Sequence, residues 1–326
     1  MKIAITSQDG KGDFRFTGPP WDSFSSTLKR HGHEIVHLNS KPEAIIFNNF
    51  SGSLLHKVGG SIPSSRKFLI VWEPPVNLPQ NFNRKNSKIF NDIFFPSTIW
   101  ANQYSGRAFS WPQGSHAESP KDSWEKRINK FCFIQANRWQ IVKNEKYSLR
   151  RRVLKECNEY VDIYGRNWNQ GFMVDLLYLL RSMPNALFAK SISLRAINGV
   201  GIRFNNCMGP VEDKLKTLRQ YRFALIIENS DEYVSEKIVD ALLAGVVPLY
   251  VGAELSRFGF PEGIANVCEP DERAIESTMK KLMADLILQQ TIIESGKEFL
   301  NSDTFRAMLN YRVLSQLAEE ICVGLK

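Results

Sequence analysis

At 326 residues the chain is longer than one hydrophobic core usually serves, so two domains are expected. A hydrophobic content of 43% and a charged content of 23% exclude a disordered, fibrous or low-complexity chain. The net charge of +8, with basic clusters at 121–130 and 150–152, fits a nucleic acid, an anionic membrane surface, an acidic small ligand or merely a solvated surface, but no RNA-binding signature, zinc-finger spacing or long basic tail accompanies it.

In chain order, residues 2–6 are an apolar run bounded by a glycine-containing turn, which predicts a first strand. Residues 23–30 fit a helix stopped by Gly32, and 33–38 a second strand. Residues 44–47 and 67–72 are short β-rich apolar runs, and 89–96 and 107–111 add further strands. Short buried strands alternating with helices predict a parallel sheet covered on both faces.

Residues 115–129 are polar and charged and contain Pro120, the best linker in the chain. The pattern then restarts: a strand at 130–135, a helix at 148–158, a strand at 161–164 ending in Gly165-Arg166, and a helix at 211–220. Residues 275–285 and 305–322 have helical spacing of apolar residues. The expected division is 1–120 and 121–326, with the final helices assignable to either unit.

The five cysteines, Cys132, Cys157, Cys207, Cys268 and Cys322, are odd in number, widely spaced and without a C-x-x-C pair. That pattern predicts reduced, mostly buried thiols and a reducing compartment. The first residues lack the apolar stretch of a signal peptide, and the most apolar window, 238–255, contains Asp240 and Pro248. A cytoplasmic protein without a transmembrane segment is expected, with room for a peripheral membrane contact.

Residues 221–252, YRFALIIENSDEYVSEKIVDALLAGVVPLYVG, concentrate the chemistry. Five apolar residues, 223–227, suit a strand buried on both faces, and it stops abruptly at Glu228-Asn229-Ser230-Asp231-Glu232. A helix body follows at 238–244, with Gly245 suited to its left-handed cap and Ser235 to its N-cap. In an open α/β sheet the carboxyl end of a strand is where ligands bind. Lys237 in the first helical turn opposes the helix dipole; it either neutralises an anion bound there or points into solvent. Glu228 or Glu236 could accept from sugar hydroxyls, and Asn229 and Tyr233 could fix orientation.

The run E-N-S-x-x-x-Y-V-S-E-K followed by A-L-L-A-G-x-V-P-L-Y-V-G resembles the signature of the α1,3/1,4-fucosyltransferase family, glycosyltransferase family 10. The family pattern has phenylalanine where this chain has Ile227 and threonine where it has Ser235. Weaker agreement extends to residues 131–139 (FCFIQANRW) and to 147–165, ending V-D-I-Y-G. The resemblance implies α/β architecture with two Rossmann-like domains facing across a cleft, the arrangement called GT-B. It implies an N-terminal acceptor-binding domain and a C-terminal donor-binding domain holding GDP-fucose. It also implies an inverting transferase that needs no cofactor and no metal, acting on a carbohydrate acceptor, with no nucleic-acid partner.

Carried over residue by residue, the resemblance makes Arg150 the diphosphate ligand, with Arg151 one register step away. Glu228, Asn229, Tyr233, Ser235, Glu236 and Lys237 complete the donor site. Residues 67–77, KFLIVWEPPVN, resemble the family's strand ending at its catalytic base, which makes Glu73 the base, although Pro75 stands where the family has serine. Pro74 and Pro75 stop the strand and stiffen the turn, and Trp72 could desolvate the Glu73 carboxylate and raise its proton affinity.

Other constellations are weaker. His31, His33 and His37 run across a glycine stop, Gly10 and Gly12 complete no G-x-G-x-x-G, and no P-loop, G-x-S-x-G or D-x-D at a strand end is present. Two readings stand beside the transferase: a basic polyanion- or nucleic-acid-binding protein on an inactive scaffold, and a GT-B transferase using another nucleotide sugar.

Overall fold

Short strands made almost wholly of Ile, Phe, Val and Leu can satisfy their backbones only inside a sheet covered on both sides. The computed structural model describes residues 1–15, 19–114, 124–197 and 199–326, and the chain divides into two units: Met1–Gln113 with Ala307–Lys326, and Gly114–Arg306. Residues 115–123 of the expected linker lie outside the described residues.

The first unit runs β1 (Lys2–Ile5), α1 (Pro19–Arg30), β2 (Glu34–Val36), β3 (Ala44–Asn48), α2 (Gly52–Lys57), β4 (Lys67–Ile70), β5 (Asp92–Phe95), α3 (Thr98–Tyr104) and β6 (Arg107–Ala108). The sheet order is β2-β1-β3-β4-β5-β6, parallel throughout. Because β2 and β3 flank β1 on opposite sides, the winding reverses between β1 and β3, and their carboxyl ends form a crevice. Gly32 takes φ 79°, the left-handed stop expected after α1.

The second unit runs β7 (Ile128–Ile134), α4 (Tyr147–Glu156), β8 (Val161–Tyr164), α5 (Phe172–Phe188), β9 (Cys207–Gly209), α6 (Lys214–Leu218), β10 (Tyr221–Ile227), α7 (Lys237–Leu243), β11 (Val247–Val251), β12 (Asn266–Val267), α8 (Glu272–Ala284) and α9 (Leu286–Asn301), and α10 (Asp303–Met308) carries the chain across the boundary at Arg306. Its order, β12-β11-β10-β7-β8-β9, is again parallel throughout and matches the doubly wound dinucleotide fold, with the reversal between β7 and β10. Phe131 and Phe223 stack across those two strands at 4.9 Å. Leu149, Val153 and Leu154 of α4 and Ile275, Met279 and Leu282 of α8 join the same core.

The chain closes with α11 (Asn310–Gly324), which packs on α1 in the first unit. Leu314, Leu317, Ala318 and Ile321 enter the core with Phe24, Leu28 and Phe68, and Thr27 Oγ1 and Ser315 Oγ share a hydrogen bond of 2.9 Å.

Two helices differ in extent from the sequence expectation. The helix expected at 305–322 is two helices, because Leu309 leaves the helical path to bridge Gln113. The helix expected at 211–220 shortens to α6, whose start is set by Asp213 accepting from the Lys216 amide at 2.9 Å. All five cysteines are free thiols, and burial pushes Cys157 and Cys322 up to about 11. Among the described residues no helix is long and apolar enough to cross a membrane.

Candidate active site

β10 ends at Ile227, and the next side chain, Glu228, has no solvent exposure. Its amide donates to the Val251 carbonyl at 2.8 Å, extending the ladder with β11 by one residue. A carboxylate this deep persists only if its charge and lone pairs are met. The loop meets them: the Ser235 amide at 3.0 Å, Ser235 Oγ at 2.6 Å and Lys237 Nζ at 3.1 Å all donate to Glu228. Gly252, just past β11, leaves room for this: a Cβ there would lie 2.5 Å from Tyr250 Oη and 2.9 Å from Glu228 Cγ.

Lys237 therefore does not point freely into solvent. Its ammonium donates to Glu228 and, at 2.7 Å, to Ser235 Oγ, and the side chain is 19% exposed. An ammonium carries three donors; among the described residues the third has no partner.

Ser235 is not the N-cap of α7. Glu236 occupies that position without a side-chain cap, because the Ser235 hydroxyl is held by Glu228 and Lys237. Glu236 faces Lys214, which donates to it at 3.2 Å and to Asp240 at 2.6 Å. Burial raises the Glu236 carboxyl, but the Lys237 and Lys214 ammonium groups overcome it and bring the group down to about 2. Lys214 is held above its ordinary value: burial lowers it, and the two carboxylates outweigh that.

α4 carries Arg150 to the same place. Glu145 starts the helix by accepting from the Ser148 amide at 2.8 Å, and Lys146 forms an ion pair with Asp231. Arg150 is 2% exposed, with Nε donating to the Ile227 carbonyl at 3.0 Å and Nη2 to the same oxygen and to Asn229 Oδ1 at 2.6 Å. Its guanidinium lies 4.8 Å from the centre of the Tyr147 ring. Asn229 in turn donates to Tyr233 Oη at 2.8 Å. Burial lowers the Arg150 pKa, against the influence of Tyr147 and Glu228. An arginine held this way sets the shape of the loop through Nε and Nη2, while Nη1 takes no part in these bonds.

Arg151 goes elsewhere. It stacks 3.6 Å from the Trp139 ring centre and donates to Asn137 Oδ1 at 3.2 Å, the Arg138 carbonyl at 3.1 Å and the Ala196 carbonyl at 3.2 Å. Burial pushes it down to about 10. The two adjacent arginines thus differ in place: Arg150 faces the end of β10, and Arg151 fastens the 137–139 loop to the segment after α5. Arg152 pairs with Glu272 of α8.

In the first unit, Glu73 follows β4 on a scaffold that the sequence did not announce. Asn49, at φ 67°, sits in the left-handed region just past β3. Its Oδ1 accepts from the Trp72 amide at 2.8 Å, the Glu73 amide at 3.0 Å and Asn81 Nδ2 at 3.0 Å. Asn77 Nδ2 donates to the Glu73 carboxylate at 2.5 Å. The Trp72 indole donates to Asn48 Oδ1 at 2.9 Å, and its ring sits among Trp21, Phe109 and Trp111 at 5.2–5.9 Å. The only sequence signal for this scaffold was a pair of asparagines, Asn48-Asn49, ending a fully apolar strand.

No protein-family profile matches this sequence. Among solved structures, the chain is similar to HepE from Anabaena in complex with UDP and glucose, at 13% identity and a TM-score of 0.59, covering 99% of this chain and 100% of that one. It is similar to a glycosyltransferase from Rickettsia africae ESF-5 at 10% identity and a TM-score of 0.51, covering 96% and 84%. TarM from S. aureus, in a complex containing UDP, gives 11% identity and a TM-score of 0.51, covering 88% of this chain and 55% of that one. Together with the two parallel six-stranded sheets, these likenesses assign the fold class GT-B.

Proposed function

We infer that the protein is an inverting glycosyltransferase that binds a nucleotide diphosphate sugar in its second unit. One observation carries this reading. Arg150, whose contact with Ile227 spans 77 positions, and the hydrogen-bonded cluster of Glu228, Ser235 and Lys237 meet at the carboxyl end of β10, beside the winding reversal of a dinucleotide-type sheet.

In the proposed reaction an acceptor hydroxyl gives its proton to Glu73, and its oxygen bonds to the anomeric carbon with inversion. The bond from that carbon to the diphosphate breaks, and the electron pair leaves with the diphosphate. The third Lys237 donor meets the charge that accumulates there. A preorganised charged donor is worth roughly 3 kcal/mol in such a site. Transfer without a metal is proposed because the sequence has no D-x-D at a strand end.

The sugar nucleotide proposed from the motif resemblance is GDP-fucose, and the acceptor a glycan hydroxyl. A second donor class is favoured by a separate observation: HepE has been solved with UDP-glucose at 13% identity to this chain over its full length. A hydrolysis screen across GDP- and UDP-sugars tests both, since slow hydrolysis needs no acceptor. Turnover of GDP-fucose above all others supports the first reading, and turnover of UDP-glucose replaces it with the second. Inactivity on every donor, with oligonucleotide binding that collapses as salt rises, points instead to a polyanion-binding scaffold.

A further inference from the structure

Amphipathic helices normally turn their apolar stripe inward. α5 does the reverse. Its buried positions are Asp175, Leu179, Ser182 and Ala186, with the Asp175 carboxylate accepting from the Gly201 amide at 3.1 Å. Its outward stripe is Met173, Leu177, Leu180, Pro184 and Leu187, spaced by three or four residues along about 21 Å of helix. Met173 is 65% exposed, Leu180 51% and Leu187 63%. The exposed apolar character continues past the helix through Ile192, Leu194 and Ile197. Among the described residues, ten of the seventeen large exposed hydrophobic residues fall between 172 and 197, which makes this a patch and not the scattered exposure of an ordinary surface.

The charges around the patch identify what covers it. Arg181, Lys190 and Arg195 are the exposed charged side chains of this stretch, and its one acid, Asp175, is buried. A self-complementary contact between two copies would gather these cations without a counter-charge from the same segment. An apolar stripe with basic residues alone beside it is the pattern of a helix lying in an anionic bilayer interface.

We propose that the outer face of α5, with the segment through Ile197, seats the protein on an anionic lipid surface, in the interfacial plane and without spanning it. This stands independently of the donor reading.

The test is co-sedimentation of the whole chain with vesicles of phosphatidylcholine alone and of phosphatidylcholine with phosphatidylglycerol, at low and high salt. The expected result is binding to the phosphatidylglycerol vesicles that weakens with salt. A Leu177→Ser, Leu180→Ser, Leu187→Ser variant should lose more than about tenfold in binding while keeping its melting temperature, because these side chains are already exposed. An Arg181→Glu, Lys190→Glu, Arg195→Glu variant should lose the preference for phosphatidylglycerol. Failure of the wild-type chain to sediment with either vesicle overturns the proposal, as does full retention of binding in both variants. A wild-type dimer in sedimentation velocity that the serine variant turns into monomer, without vesicle binding, assigns the face to a second copy instead.

Discussion

Lys237 Nζ lies 3.1 Å from Glu228 Oε2, and that carboxylate is wholly excluded from solvent. The pair explains why a lysine is tolerated in the first turn of α7, where the helix dipole disfavours it: its charge is answered from the end of the neighbouring strand. It also gives Lys237 two roles, one in the fold and one proposed in the reaction, and the roles can be separated. Lys237→Ala should cost about 3 kcal/mol, because it leaves a buried charge unpaired. Adding Glu228→Gln removes that charge and should restore much of the melting temperature. Donor turnover should stay down by roughly a hundredfold in the double variant. Recovery of turnover together with stability would confine Lys237 to the fold.

Arg150 and Arg151 are adjacent in sequence and should respond oppositely to the same substitution. Arg151 is held by three acceptors and an indole face, so Arg151→Lys loses the planar fork and should destabilise by about 2 kcal/mol. Arg150→Lys keeps a cation near the Ile227 carbonyl but releases Asn229 and, through it, Tyr233. It should lose less stability than Arg151→Lys, because the lysine ammonium keeps a donor for the Ile227 carbonyl, and fall by at least about tenfold in turnover. Chemical denaturation beside a donor assay reads both, and equal destabilisation of the two variants would contradict the division drawn here.

The Asn49 scaffold makes a third prediction. Asn49→Asp retains an acceptor for the Trp72 and Glu73 amides but loses the Nδ2 donor to the Gln8 carbonyl at 3.3 Å, so it should be the less damaging of two substitutions. Asn49→Ala leaves two backbone donors and the Asn81 amide without their acceptor and removes a residue suited to φ 67°. A loss of about 2–3 kcal/mol is expected for the alanine variant. If Glu73 is the base, Asn49→Ala should also lower transfer more than donor hydrolysis, because hydrolysis needs no acceptor hydroxyl. Parallel loss of both activities would argue against Glu73.

These contrasts follow what the sequence made visible. The buried strands and the Gly32 and Gly245 stops were legible because each is a local signal: a fully apolar run, or a residue needed at positive φ. The convergence of Arg150 with residues 228–237 was legible only through a motif that spans strand, loop and helix. The Asn49 scaffold was hidden because its partners lie 23–32 positions away, and asparagine after a strand is commonplace. α5 was hidden for a different reason. Its outward stripe is apolar and its inward face carries Asp175 and Ser182, so no pattern of apolar-in and polar-out marked it as a surface helix.

The Glu236–Lys214–Asp240 cluster gives a prediction with a definite sign. Glu236 titrates near 4.5 when unfolded and is brought down to about 2 in the fold, with burial opposing and Lys237 and Lys214 prevailing. The unfolded chain therefore takes up the proton first as pH falls. Stability from this group is complete above 4.5, erodes below it and is gone once the pH passes 2. Asp240 shifts in the opposite direction, raised by burial, so the acid limb of the wild-type curve mixes the two groups. The difference between wild type and Glu236→Gln isolates one of them, since Asp240 is present in both. Urea unfolding at stepped pH should find wild type ahead of the variant near neutrality and the gap closing between 4.5 and 2. Because the Glu236 side chain is 36% exposed, added salt should narrow the neutral-pH gap as well. A gap that stays constant down to pH 2 would mean that the two lysines do not hold this carboxylate in the fold.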